Sequence, residues 1–289
     1  YNTSQTVAWT RVGSVANVKL EYSTDGGTTY PSVIIASTPA DPLPADNAGT
    51  YAWTIPDALT LQARVRVLDA SDATVLDASD ANFTIQGTLT LTAPNGTEVL
   101  VVGAAQNITW TKTGSLANVK LEYSTNAGVT YPNLIVASVS AVSPYAWTVP
   151  DAIGSQLRVQ ISDAANAGVF DTSDGNFSIK GSLTLTSPNG TEVWLVGANQ
   201  NVTWTRVGSF PNVKLEYSKN AFADELQTFL IVGSTPADPL PTDNAGSFAW
   251  TIPDAIGATV KVRDSDEDNA TVYEVSNVNI TIHAGEPGA

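Results

Sequence analysis

Apolar and polar residues alternate along short stretches of this chain. Ile108-Thr-Trp110-Thr, Val119-Lys-Leu121-Glu-Tyr123-Ser, Leu157-Arg-Val159-Gln-Ile161 and Phe177-Ser-Ile179 each put their apolar side chains on one side of an extended backbone. Each run predicts a strand with one buried and one wet face. Turn chemistry separates the runs: Asp25-Gly26-Gly27, Asn95-Gly96, Asn189-Gly190, and a proline after each Ala-Trp-Thr strand. No helical period of useful length appears. Only 221–229 predicts a turn of helix.

The pattern occurs three times. Trp9-Thr10, Trp110-Thr111 and Trp204-Thr205 each precede Asn-Val-Lys-Leu-Glu-Tyr-Ser, at 17–23, 118–124 and 212–218. Ala-Trp-Thr-(Ile/Val)-Pro-Asp-Ala follows, with Trp53, Trp147 and Trp250. Each block closes on a short strand, at 82–85, 176–179 and 279–282. The spacing from Trp53 to Phe83 recurs from Trp147 to Phe177 and from Trp250 to Ile280. Length varies only in a Pro-rich stretch between the two tryptophans, which marks a surface loop. Leu43-Pro-Ala-Asp46 and Leu240-Pro-Thr-Asp243 in that stretch share two residues with a sortase signal but lack its Thr-Gly pair, and they read as loops.

A complete block holds about seven strands in about 94 residues, the size of an immunoglobulin-like or fibronectin-III-like sandwich. The expected architecture is all-β: a tandem array of three such β-sandwiches, over 1–87, 88–181 and 182–289. Very few residues separate the strands on either side of Gly87 and Gly181, which favours a stiff rod over flexible beads. Blocks 2 and 3 open with Leu-Thr-Leu-Thr-(Ala/Ser)-Pro-Asn-Gly-Thr-Glu-Val, at 89–99 and 183–193. Block 1 has no counterpart, because Gln5 already aligns with Gln106 and Gln200. The first domain is therefore expected to lack its opening strand, as a fragment of a longer protein would. The rival expectation is a strand donated by a neighbouring chain, though the tail 283–289 contains no spare copy.

Composition narrows the function. There are 28 Asp and Glu against 13 Lys and Arg, a formal charge of −15. Neutralising phosphates needs clustered cations, so the charge balance argues against nucleic acid and anionic lipid as partners. No apolar run approaches the ~20 residues of a membrane helix, so no membrane insertion is expected. With one His, no Cys and no Met, thiol catalysis, disulfides and Cys/His zinc sites are excluded. The absence of Cys beside abundant Thr, Ser, Asn and Gly fits an exported protein.

The run Ser-Pro-Asn-Gly-Thr-Glu-Val-Trp-Leu-Val-Gly (187–197), then Asn-Val-Thr-Trp-Thr (201–205), Val-Lys-Leu-Glu-Tyr-Ser, Ala-Trp-Thr-Ile-Pro and a closing Asn-Ile-Thr-Ile resembles the Kre9/Knh-type Ser-Thr-rich domain of fungal wall proteins. It is still more similar to that domain's bacterial relatives, tandem repeats of long surface or secreted proteins. The resemblance implies an extracellular, fibronectin-III-like spacer, adhesive or wall-associated module, without a catalytic motif and without a defined ligand.

The residues offer few sites. Alternation turns the six repeat tryptophans into the cores. Trp194, which replaces Leu100 beside a junction, is expected between domains or partly exposed. Acid-rich stretches recur late in each block. Asp163, Asp171 and Asp174, and above all Asp264, Asp266 and Asp268, are candidate calcium ligands, since calcium wants several oxygens at close range. The other reading makes them solvated turn residues. The Gly and final Glu of an EF-hand loop are missing. No other cofactor is indicated. Among the Asn-X-Ser/Thr sequons, Asn82, Asn107, Asn176 and Asn201 face outward and could carry sugar. Glycoside hydrolysis needs a cleft with two acids, which a thin sandwich does not offer. His283 lies in the tail without Ser/Asp partners. Lys19, Lys120 and Lys214 face outward, wrong for a buried isopeptide bond. The expected function is a non-catalytic structural segment of a cell-surface protein, a stalk, filament or surface-layer component. Its expected partners are copies of itself or neighbouring domains. The alternative is a module that binds wall polysaccharide.

Overall fold

The structure, a computed structural model, describes residues 1–42, 47–240 and 243–285. The loop residues 43–46 and 241–242, including most of the two Leu-Pro-X-Asp motifs, lie outside the described residues, as does 286–289. The first unit contains β1 Ser4–Thr10, β2 Asn17–Ser23, β3 Ser32–Pro39, β4 Ala48–Thr54, β5 Thr60–Asp69, β6 Leu76–Ala78 and β7 Phe83–Ile85. The second contains β8 Thr88–Ala93, β9 Val99–Val101, β10 Ala105–Thr113, β11 Asn118–Ser124, β12 Asn133–Ser140, β13 Tyr145–Thr148, β14 Gly154–Asp163, β15 Phe170–Thr172 and β16 Phe177–Lys180. The third repeats that order: β17 Ser182–Ser187, β18 Val193–Leu195, β19 Asn199–Val207, β20 Asn212–Ser218, β21 Thr228–Pro236, β22 Ala245–Thr251, β23 Gly257–Asp266, β24 Tyr273–Val275 and β25 Ile280–His283. A single 3₁₀ turn, Glu225–Gln227, falls within the stretch expected to be helical.

Each complete unit is a two-sheet sandwich of the Ig/fibronectin-III kind. In the second, β13-β10-β8 faces β12-β11-β14-β16-β9, with β15 also paired to β14. All pairs are antiparallel except β9 with β16, and β18 with β25 in the third unit, which run parallel. No strand of one unit pairs with a strand of another among the described residues.

The core follows the alternation. Val119 and Leu121 are fully buried on β11, and Val159 and Ile161 on β14. The first tryptophan of each block lies between the sheets, and its indole N–H donates to a carbonyl oxygen: Trp9 to Ala40 (3.0 Å), Trp110 to Ala141 (3.3 Å) and Trp204 to Ala237 (3.0 Å). That bond removes the polar penalty of burying a large aromatic ring. In the first and third units the residue paired with this tryptophan on the neighbouring strand is a glycine, which makes room. A methyl group at Gly246 would lie 2.2 Å from Trp204, and one at Gly49 2.4 Å from Trp9. Trp194 is 6% exposed and meets Trp250 edge to face at 6.0 Å, so it is a core residue. This corrects the expected junction or surface position. Its neighbour Val193 takes the outward position of the period-two pattern.

Candidate functional site

The three units differ most where the opening strands sit. In the second unit β8 adds Leu89 and Leu91 to the first sheet, and β9 adds Leu100 to the second; all three are buried. In the third unit β17 and β18 add Leu183, Leu185 and Trp194 in the same places. Among the described residues the first unit has neither strand, so β1 pairs only with β4 and β7 only with β5. Its core accordingly divides into two clusters, one around Trp9 and Leu20 and one around Trp53 and Ile85. The other units each have one continuous core.

The sandwich of the first unit is therefore open along one side. A groove of about 480 Å³ lies between β1 and β7, lined by Tyr1, Val7, Trp53, Val65, Phe83 and Ile85. Past Val7 and Val65 it continues into a hollow of about 240 Å³ against Trp9, Asp77, Ser79 and Asp80. Backbone edges of two sheets flank it, and an unpaired edge is a template for another strand.

Polar groups hold the opening segment in the second unit. Asp171 Oδ2 accepts from Leu91 N at 2.7 Å. Ser173 Oγ donates to Pro94 O at 2.8 Å. Asn95 Nδ2 donates to Asp174 Oδ2 at 2.7 Å, and Asp174 N to Asn95 Oδ1 at 2.8 Å. Asp163 Oδ1 accepts from Ala165 N at 3.1 Å in a turn. In the repeat alignment Asp77, Ser79 and Asp80 correspond to Asp171, Ser173 and Asp174. Sequence reasoning takes Asp77 and Asp80 only as members of an acid-rich stretch and connects neither them nor Ser79 to an opening segment. Their signal was present in the constant thirty-residue spacing from the second tryptophan.

The third unit's acids are not all loop residues, as they were expected to be. Asp264 lies inside β23 with its side chain in the core, where the second unit has Ile161 and the first Val67. It is 0% exposed, and neither carboxyl oxygen has a hydrogen-bond partner among the described residues. Burial pushes its pKa up to about 7; the nearby main-chain N–H groups of Asp264 and Glu274 offset part of the rise, and the negative charge of Glu274 adds to it. Asp266 ends β23 and accepts from Asp268 N at 3.1 Å. Among the described residues no group of three or more His, Asp or Glu side chains is placed to hold a metal ion.

The outer face carries ion clusters. Lys19 and Arg66 both pair with Glu21, at 2.5 and 2.6 Å, and the Arg66 guanidinium lies 4.3 Å above the Tyr30 ring. Lys214, Arg263, Glu216 and Phe222 repeat the arrangement. Burial alone would raise the Glu21 and Glu216 carboxyls, but the bonds from the two cations outweigh it and hold both below the ordinary range. In the second unit Gln160 replaces the arginine opposite Glu122, and only Lys120 pairs with it.

All seven tryptophans are buried. The exposed aromatic rings include Phe170 and Tyr273, 54% and 55% exposed, at matching positions of β15 and β24. Of the sequon residues Asn82, Asn107 and Asn201 are exposed and Asn176 is half-buried. Asn82 and Asn176 accept from Arg64 and Arg158 at 2.8 and 2.7 Å. His283 is exposed at the end of β25. No helix among the described residues is long and apolar enough to cross a membrane.

No family model matches the chain, and no curated protein matches it. Among solved structures it is similar to the fibronectin(III)-like modules of Clostridium thermocellum CbhA, at 18% identity and a TM-score of 0.24 over 68% of this chain and 95% of that one. It is also similar to titin domains I67–I69, at 10% identity and a TM-score of 0.30 over 98% of this chain and 93% of that one. The titin I9–I11 tandem gives 7% identity and a TM-score of 0.31 over 98% of this chain and 94% of that one.

Proposed function

We propose that the chain is a non-catalytic structural segment of an extracellular or cell-surface protein, built as a linear array of three domains over 1–87, 88–181 and 182–289. The observation that carries this reading is the junction, which is made the same way twice. The linkers are very short: Gln86 and Gly87 between β7 and β8, and Gly181 alone between β16 and β17. Asp57 Oδ1 of the first unit accepts from Ser115 N of the second at 3.0 Å, and Asp151 Oδ1 of the second accepts from Ser209 N of the third at 3.1 Å. Both acids belong to the Pro-Asp-Ala motif after the second tryptophan. Leu59 and Tyr1 approach Gly114 in the first junction, as Ile153 and Val102 approach Gly208 in the second. A methyl group at Gly87 would lie 2.2 Å from Thr113 O, and one at Gly181 2.6 Å from Val207 O. Identical, close and hydrogen-bonded junctions favour a fixed step from unit to unit, which suits a load-bearing spacer.

Two measurements test this. Small-angle scattering is expected to show a rod with the cross-section of one sandwich. The double variant Asp57→Ala/Asp151→Ala is expected to broaden the spread of inter-unit angles and to leave each unit's melting transition in place. A compact particle, or unchanged scattering from the double variant, would sink the rigid-junction reading. Antibody against the second unit is expected to label intact cells of the source organism. Labelling only after permeabilisation would remove the surface assignment. The Kre9/Knh-like sequence pattern supports a wall-associated setting.

A second reading, binding of wall polysaccharide, is favoured by Phe170 and Tyr273, which offer exposed rings at a repeated position. Saturable retention on an insoluble glucan or mannan column, abolished by Phe170→Ala/Tyr273→Ala, is the expected result under that reading. Equal retention of the variant would exclude these rings as the platform.

A further inference from the structure

The opening segment of a complete unit crosses from the first sheet to the second through Asn-Gly-Thr-Glu, at 95–98 between β8 and β9 and at 189–192 between β17 and β18. Asn95-Gly96 and Asn189-Gly190 are the two Asn-Gly pairs of the chain. Such a pair can react with itself, because glycine has no Cβ to keep its nitrogen away from the asparagine side chain. We infer that Asn189 is a site of spontaneous modification, converted through a cyclic imide to aspartate and isoaspartate, and that the fold protects Asn95 from the same conversion.

The reactive groups are common to both turns. Glu98 accepts from Asn95 N and Gly96 N, both at 2.7 Å, and Glu192 accepts from Asn189 N at 3.0 Å and Gly190 N at 2.9 Å. A carboxylate on the N–H of the attacking glycine is placed to take its proton. A main-chain N–H points at each side-chain carbonyl oxygen: Asp174 N at Asn95 Oδ1, 2.8 Å away, and Asn277 N at Asn189 Oδ1, 2.7 Å away. That donor stabilises the oxyanion formed on attack. In the third unit a bond forms from Gly190 N to Asn189 Cγ and the Cγ–Nδ2 bond breaks. Nδ2 leaves as ammonia, with the proton that Gly190 N gives up through Glu192. Water then opens the ring at either carbonyl. One direction gives aspartate, and the other gives isoaspartate, with the main chain routed through the side-chain carbon.

The turns differ in how firmly they are held. Asn95 Nδ2 donates to Asp174 Oδ2 at 2.7 Å, so both polar atoms of this carboxamide are fixed. Gly175 N donates to Asn95 O and Thr97 N to Asn176 O, each at 3.0 Å. The carboxamide must turn its face to the glycine nitrogen before attack, and each of these bonds resists that movement. In the third unit Asn277 replaces Asp174 and Val278 replaces Gly175. Among the described residues only the bond from Asn277 N remains of this set.

The change from glycine to valine accounts for the loss. A methyl group at Gly96 would lie 3.0 Å from Gly175 Cα, and one at Gly175 3.3 Å from Gly96 Cα, so two main chains meet there. A valine in place of Gly175 fills that space and keeps the turn off the β24–β25 connection. The shapes of the turns differ accordingly. Gly96 and Thr97 have φ of +134° and +66°, whereas neither Gly190 nor Thr191 has a positive φ.

The test is to hold the 289-residue protein at neutral pH, digest samples over time under mildly acidic conditions, and separate asparagine, aspartate and isoaspartate at both sites by liquid chromatography and mass spectrometry. Asn189 is expected to convert about tenfold faster than Asn95 in the folded protein, and both are expected to convert at the same rate in urea. The variant Asn277→Asp/Val278→Gly rebuilds the grip of the second unit and is expected to slow Asn189 about tenfold. The reverse variant, Asp174→Asn/Gly175→Val, is expected to bring Asn95 up to the rate of Asn189, with hydrogen exchange confirming that the second unit stays folded. No conversion at Asn189, equal rates in the folded protein, unequal rates in urea, or an unchanged rate at Asn189 in Asn277→Asp/Val278→Gly would each overturn the inference.

Discussion

Asp264→Val is expected to stabilise the third unit at pH 8 by on the order of 4 kcal/mol. The wild-type carboxyl is fully buried without hydrogen-bond partners, and its pKa rises from 3.8 to about 7 on folding. Below pH 4 both folded and unfolded chains hold the proton, and the group contributes no pH dependence. Between about pH 4 and 7 the unfolded chain has released the proton while the folded chain keeps it, so stability falls as pH rises. Above pH 7 the folded group ionises too and the loss levels off. At about 1.4 kcal/mol for each pH unit between the two values, the span gives the figure above. Valine matches Val67 of the first unit and leaves no polar atom to desolvate. The expected readout is a melting transition of the third unit raised by roughly 15 °C at pH 8, and much less at pH 4. Asp264→Asn is expected to lose the pH dependence yet keep part of the penalty, because its amide stays unpaired. A valine variant that melts lower than wild type at pH 8 would show that the carboxylate has a partner worth more than its desolvation.

Asp264 also marks the boundary of what the sequence made legible. Alternation placed the strands, the six repeat tryptophans and the outward lysines, because a period of two is fixed by the backbone. The same rule, carried along β23 from Val260 and Val262, points Asp264 inward. The clustering of Asp264, Asp266 and Asp268 suggested a loop instead, because acids in a core are rare. Composition overrode register, and register was right. Trp194 was misjudged for a related reason. Its strand spans only Val193–Leu195, too short for alternation to show a period. The seam was half legible. The missing leucines could be read from the repeat alignment, but the grip of Asp171, Ser173 and Asp174 on the opening segment joins residues about eighty positions apart. Only a structure brings these together.

Trp204→Ala is expected to destabilise the third unit by about 3–5 kcal/mol, and Trp9→Ala to cost the first unit clearly less. The two residues occupy the same place in the repeat, and each donates its indole N–H to the carbonyl of the alanine that follows the Pro-rich strand. Their surroundings differ. Trp204 is 1% exposed, wedged against Gly246 and covered by Leu185 of the opening strand, its pairing partner. Truncating it leaves a cavity with walls on every side and orphans the Ala237 carbonyl. Trp9 is 8% exposed and borders the open groove, with no leucine of an opening strand paired to it. A cavity that opens to solvent loses less packing and leaves the Ala40 carbonyl access to water. Denaturant titration monitored by hydrogen exchange, unit by unit, separates the two losses. The difference between them measures what an opening strand contributes to a sandwich of this kind. Equal losses would mean that an opening strand adds little to the burial of this tryptophan.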